Sequence, residues 1–105
     1  MARPVLVLST CGQMETAQKI ASALVEQRLA ACVNVVGGVK STYRWQGKVT
    51  IDDETLLIIK TSSDKLQNAQ NLVKEQSVYE VPEFIAIDIV DGSEEYLKWL
   101  LAEVE

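Results

Sequence analysis

Two cysteines and no histidine bound the chemistry open to these 105 residues. Histidine is the usual proton shuttle near neutral pH and the commonest nitrogen ligand for metals, so both a histidine general base and a histidine-built metal centre are closed. A phosphorylating histidine is excluded on the same ground. An acyl-phosphatase reaction would want an arginine in the loop after the first strand, and Thr10-Cys11-Gly12-Gln13 supplies none. The expectation is a protein that is not an enzyme and requires no cofactor. Cys11 could offer a thiolate, a soft ligand that suits copper, but convergent partners are normally needed. Cys32 reads as a structural thiol beside small residues. Asp52-Asp53-Glu54 invites hard cations. Successive strand residues point to opposite faces, however, so the run reads as a solvated edge that discourages aggregation.

A second constellation is Lys60, Tyr79 and Glu83, whose ammonium, phenol and carboxylate could recognise a small polar ligand in a cleft between subunits. The bland alternative is an ion pair between Lys60 and Glu83, with Tyr79 merely packing. Trp45 and Tyr43 could stack on such a ligand or anchor a hairpin to a neighbouring subunit.

Elements able to position these residues follow from the pattern of apolar residues. Val5 to Leu8 is apolar at both parities and reads as a strand buried on both faces. From Met14 to Leu29, Ala17, Ile20, Ala21, Leu24, Val25 and Leu29 recur at helical spacing. Ala31 to Trp45 is strand-like, with a bulge or bend at Gly37-Gly38 and a tight turn at Gln46-Gly47 leading into a return strand over Lys48 to Thr61. A second helix starts near Ser62-Ser63-Asp64, where Asp64 and Gln67 resemble a capping box. Val81-Pro82 forces an extended approach to a fourth strand over Phe84 to Ile89. Ser93 caps a last helix.

This order predicts one α+β domain over residues 1–105, a ferredoxin-like βαββαβ sandwich with an additional C-terminal helix and a long protruding hairpin between its second and third strands. Right-handed crossovers put both main helices on one sheet face. The apolar residues of the opposite face then call for a cover. A hairpin arm of about fourteen residues, roughly 45 Å at about 3.3 Å each, must also leave the compact body. Both features point to a closed homo-oligomer.

A net charge of −5 with scattered basic residues argues against nucleic acid and membrane partners. No stretch approaches the roughly 18 apolar residues of a membrane span. Met-Ala-Arg-Pro leads straight into a strand rather than a signal-type segment, so a cytoplasmic location is expected. Cys11 and Cys32 fall at opposite ends of parallel strands, and no bridge between them is expected.

The spaced combination Leu29-Ala30-Ala31-Cys32-Val33-Asn34, Tyr43-Arg44-Trp45-Gln46-Gly47-Lys48 and Tyr79-Glu80-Val81-Pro82-Glu83 resembles the CutA (divalent-cation tolerance) family along the whole chain. The resemblance implies a homotrimer, similar in architecture to nitrogen-regulatory signalling proteins, linked to tolerance of copper and other divalent cations. It implies metal ligands at positions that here hold Ser9, Gln76 and Ser77, with Val78 in place of the usual proline. None of these is a soft ligand, so any copper or other divalent cation would be held weakly. The alternatives are a regulatory trimer that binds a small ligand at Lys60, Tyr79, Glu83 and Trp45, or a platform that anchors another protein.

Overall fold

A computed structural model describes residues 2–105. The elements follow as β1 (Pro4–Cys11), α1 (Met14–Glu26), β2 (Cys32–Trp45), β3 (Lys48–Ser62), α2 (Leu66–Gln76), β4 (Ile85–Asp88) and α3 (Glu94–Glu103). The sheet order is β2-β3-β1-β4, with every neighbouring pair antiparallel. This is the expected ferredoxin-like arrangement plus one terminal helix.

Period-two alternation divides β1 and β3 into two faces. Val7 pairs with Ile59, and both point at the helices, where Ile20, Leu24, Ala69 and Val73 close a dry core around them. Burying each such side chain contributes roughly 1.5–3 kcal/mol. Leu6, Leu8, Leu56 and Ile58 point the other way. Tyr96 of α3 lies under Lys60 Nζ, which is 5.8 Å from the ring centroid, and so places α3 on this second face. There Leu100 and Val104 bury Ala31 and meet Ile89. The terminal helix thus covers one end of the face, while Ile85 and Ile87 remain 51% and 46% exposed at its uncovered part.

Helix α1 stops at Glu26, three residues before the expected Leu29. Arg28 adopts a left-handed φ of 57°, Arg28 N–H donates to Val25 O, and Leu29 N–H donates back to Leu24 O at 2.8 Å. That pair of bonds is a Schellman closure, in which the buried Leu29 and Leu24 supply the accompanying apolar contact. The capping box at α2 does not form. A 3-10 turn over Ser63–Lys65 precedes the helix, Asp64 accepts from the Ser62 hydroxyl, and Gln67 donates along the helix to Asn71. β4 is shorter than Phe84 to Ile89, because Phe84 turns into the helix-side core and only Ile85–Asp88 pair with β1. Ser93 caps α3 as expected, accepting from Tyr96 N–H at 3.4 Å.

The hairpin of β2 and β3 gives the molecule its 44 Å long axis. Its register changes once: Val36 pairs with Leu56, but Val39 pairs with Glu54, so Gly37 and Gly38 supply one residue more than β3 does. Gly38 takes the positive φ of 74° that such a bulge favours. At the tip Gln46 and Gly47 both have positive φ, 50° and 79°, as in a type I′ turn. Left-handed geometry costs a non-glycine residue roughly 1–2 kcal/mol, and asparagine less than most. Gln46→Asn is therefore expected to raise stability by about 0.5–1 kcal/mol, measurable as a later urea midpoint with unchanged slope.

Candidate functional site

The bulge sets what the hairpin presents. Paired residues in a ladder share a face, and the extra residue at Gly37-Gly38 gives Ser41 and Tyr43 the partners Asp52 and Thr50. Tyr43 consequently stands on the same face as Asp52 and Glu54. Its hydroxyl donates to the Asp52 carboxylate, and this bond is the main reason its pKa lies above the ordinary phenol value. Trp45, two residues on, extends the same wall toward the tip.

The opposite wall is the segment after α2. Ser77 Oγ accepts from Tyr79 N–H at 3.1 Å, turning the chain so that the Tyr79 ring reaches across the end of β1. Tyr79 hydroxyl then donates to Glu54 Oε2 at 2.6 Å. Burial, followed by the bond to Glu54 and the nearby carboxylates, raises its pKa strongly, so the phenol stays protonated and a donor throughout the neutral range. Gly12 eases this crossing, since a Cβ there would stand 3.3 Å from the Tyr79 oxygen and the ring would have to give by a few tenths of an ångström. Ser9, fully buried, donates to the Glu83 carbonyl at 2.7 Å and pins the far end of the segment.

Between the walls lies an open groove of about 680 Å³, lined by Tyr43, Trp45, Glu54, Tyr79, Glu80 and Glu83, with Thr10 among its other lining residues. A volume in the range of roughly 300–1,000 Å³ is typical of small-molecule sites. No lysine or arginine lines the groove among the described residues.

Three of the expected ligand residues therefore come together: Tyr79, Glu83 and Trp45. Lys60 does not join them. It sits toward the far end of β3, over the Tyr96 ring, and forms no ion pair with Glu83 among the described residues. The solvated reading of the acidic run holds for Asp53, which meets Lys40 at 2.5 Å, and for Asp52, which is exposed though it accepts from Tyr43, but not for the half-buried Glu54. The spacing of two between Asp52 and Glu54 on a strand was the available signal that both share one face.

Cys11 ends β1 with 4% exposure, beside Tyr79. Burial first, and the Glu54 charge second, push its thiol pKa upward, which disfavours the thiolate a soft metal needs. Both cysteines are free thiols. Of the positions matched to metal ligands by resemblance, Ser9 and Ser77 have the structural bonds described above, and Gln76 is an exposed side chain at the end of α2. No group of three or more cysteine, aspartate or glutamate side chains converges as a metal site among the described residues.

The family model described as CutA1 divalent ion tolerance protein matches residues 5–103. The divalent-cation tolerance protein CutA of Thermus thermophilus is 50% identical over 95 residues, which cover 90% of this chain and 92% of that protein. The chloroplastic CutA protein of Arabidopsis thaliana is 45% identical over 91% of this chain, which spans only 53% of the plant protein's length. Among solved structures, the Thermus thermophilus divalent cation tolerance protein superimposes with a TM-score of 0.95 at 46% identity, covering 97% of this chain and 99% of that one. These relatives correct the expected cytoplasmic location. Similar proteins are chloroplastic in Arabidopsis and rice, and one from Archaeoglobus fulgidus is described as periplasmic. The physical reason is that a sheet-and-helix body with two free thiols is compatible with any of these compartments and encodes none of them. No helix among the described residues is long and apolar enough to cross a membrane.

Proposed function

Because the chain belongs to the CutA family of divalent ion tolerance proteins, we propose that it serves divalent-cation tolerance as a homotrimer that turns over no substrate. The observation that carries this reading is the uncovered sheet face. Ile85 and Ile87 lie exposed across from Leu8 and Leu6 on the face away from the two main helices, and Val49 and Ile51 are exposed on the other face of the projecting hairpin. Exposed aliphatic surface of this kind marks an interface, and a closed ring of identical copies buries it without leaving a free edge. Light scattering at micromolar concentration is expected to give three chains of 11.6 kDa, about 35 kDa. A well-folded species at the single-chain mass would overturn the trimer.

The same proposal makes metal binding weak. Copper or another divalent cation would meet mainly carboxylate, hydroxyl and amide oxygens here, because the Cys11 thiol is buried and held protonated. Calorimetric titration with copper or zinc is expected to give dissociation constants no tighter than about 0.1 mM. Nanomolar, stoichiometric binding would show a built metal site instead.

A second reading is favoured by the groove between Trp45 and Glu83: a trimer that responds to a small ligand. Its size and its mixture of aromatic and polar walls are those of a binding site. Stabilisation by a metabolite that disappears in Tyr79→Ala protein would support it.

A further inference from the structure

We propose that Asp91 is a site of covalent modification: its side-chain carboxyl condenses with the backbone nitrogen of Gly92 to a cyclic imide, which opens to isoaspartate. Asp91-Gly92 is the one place in the chain where an aspartate or asparagine precedes glycine. Glycine leaves that nitrogen unshielded, and packing keeps the position small, since a Cβ there would stand 3.2 Å from Leu97. Gly92 N–H donates to Asp91 Oδ1 at 2.8 Å, so the carboxyl is already folded back onto the nitrogen it would acylate. The carboxyl carbon is bonded to that oxygen, and turning it toward the nitrogen uses a side-chain torsion that is broad for aspartate. Reacting groups held this close need no search through solution. Both residues are exposed, Val90 before them is 93% exposed, and no backbone hydrogen bond ties down Gly92 N–H among the described residues.

The remaining aspartates lack this combination. Asp52 and Asp53 lie within β3, whose backbone is paired with β2, and Asp64 lies in the 3-10 turn before α2. Asp88 is on β4, held by Arg3 at 2.9 Å and followed by the branched Ile89. In the reaction Gly92 N bonds to Asp91 Cγ while the Cγ–OH bond of the neutral acid breaks, and the amide proton leaves with the hydroxyl as water. Water then reopens the imide. Attack at Cγ restores aspartate, whereas attack at the Asp91 main-chain carbonyl carbon breaks its bond to Gly92 N and leaves the chain running through Cβ and Cγ. The water lost is regained, the mass is unchanged, and no oxidant or cosubstrate is consumed. The extra main-chain carbon enters two residues before Ser93, which caps α3, the helix that covers one end of the second sheet face.

Peptide mapping tests this directly. The intact protein is held for weeks in mildly acidic buffer below its melting transition and then digested with trypsin, which releases the peptide from Glu75 to Lys98. An isomer of that peptide with unchanged mass is expected to separate by reversed-phase chromatography. Electron-transfer fragmentation should place its isoaspartate at position 91, in about tenfold or greater excess over Asp88 and every other aspartate. Asp91→Glu, whose imide ring would be larger and slower to close, is expected to lose the isomer with circular dichroism unchanged. A synthetic peptide from Glu75 to Lys98 supplies the unfolded reference, and the folded protein should isomerise no more than about tenfold more slowly than it. Three results overturn the inference: a folded protein that isomerises at position 91 more slowly than that or not at all, isoaspartate arising chiefly at another aspartate, or an isomeric peptide that persists in the Asp91→Glu protein.

Discussion

Replacing Ile87 by aspartate is expected to turn a species of about 35 kDa into a folded single chain of 11.6 kDa. Ile87 stands on β4 opposite Leu6, on the sheet face that α3 leaves open. In a lone chain nearly half of the residue meets water, so a carboxylate there is solvated and the helix-side core beneath the sheet is untouched. In a trimer the same position would be buried three times over. Each charge would then lose its water without gaining a partner, at a cost of several kcal/mol per ion, far beyond what a ring of this size can absorb. Light scattering together with circular dichroism separates the outcomes. A trimer that persists in the Ile87→Asp protein would mean that this face is not the interface, and an unfolded chain would mean that the face belongs to the monomer's own core.

The second large effect is on the other side of the sheet. Leu57 pairs with Ser9 and Val35 and is fully buried against α1 and α2. Truncation to alanine leaves a cavity that β3, hydrogen-bonded on both sides, cannot collapse to fill. The expected loss is about 2–5 kcal/mol, a large share of the roughly 5–15 kcal/mol that holds a domain of this kind together. At fixed protein concentration the melting temperature should fall by about 10–30 °C. Ile87→Asp should act chiefly on the assembly, and Leu57→Ala chiefly on the fold. A Leu57→Ala protein that melts within a few degrees of the parent would show that the two faces of β3 had been assigned the wrong way round.

The groove was less legible than the fold. Trp45, Tyr79 and Glu83 stood out as residue types suited to recognition, and they do line one cavity. Lys60 was grouped with them on chemistry alone. Rise along a strand separates it from Glu54 by roughly 20 Å at about 3.3 Å per residue. Glu54 itself was hidden inside an acidic run whose members look equivalent when read in order. They differ because Asp53 faces one side and meets Lys40, whereas Asp52 and Glu54 face the other and hold two tyrosines.

Period and punctuation were enough to specify the elements. Alternation and helical spacing report which side of each segment is apolar, and the two glycine sites, Gly37-Gly38 and Gln46-Gly47, announce a bulge and a turn because few other residues tolerate positive φ. The net charge and the missing histidine were likewise fixed by composition. What only the folded chain decided is which residues meet across long separations. Tyr79 meets Glu54, 25 residues earlier in the chain, across the end of β1, and one extra residue in β2 puts Tyr43 on the face of Asp52 and Glu54. Those are properties of pairing and packing between distant segments, and no local pattern carries them.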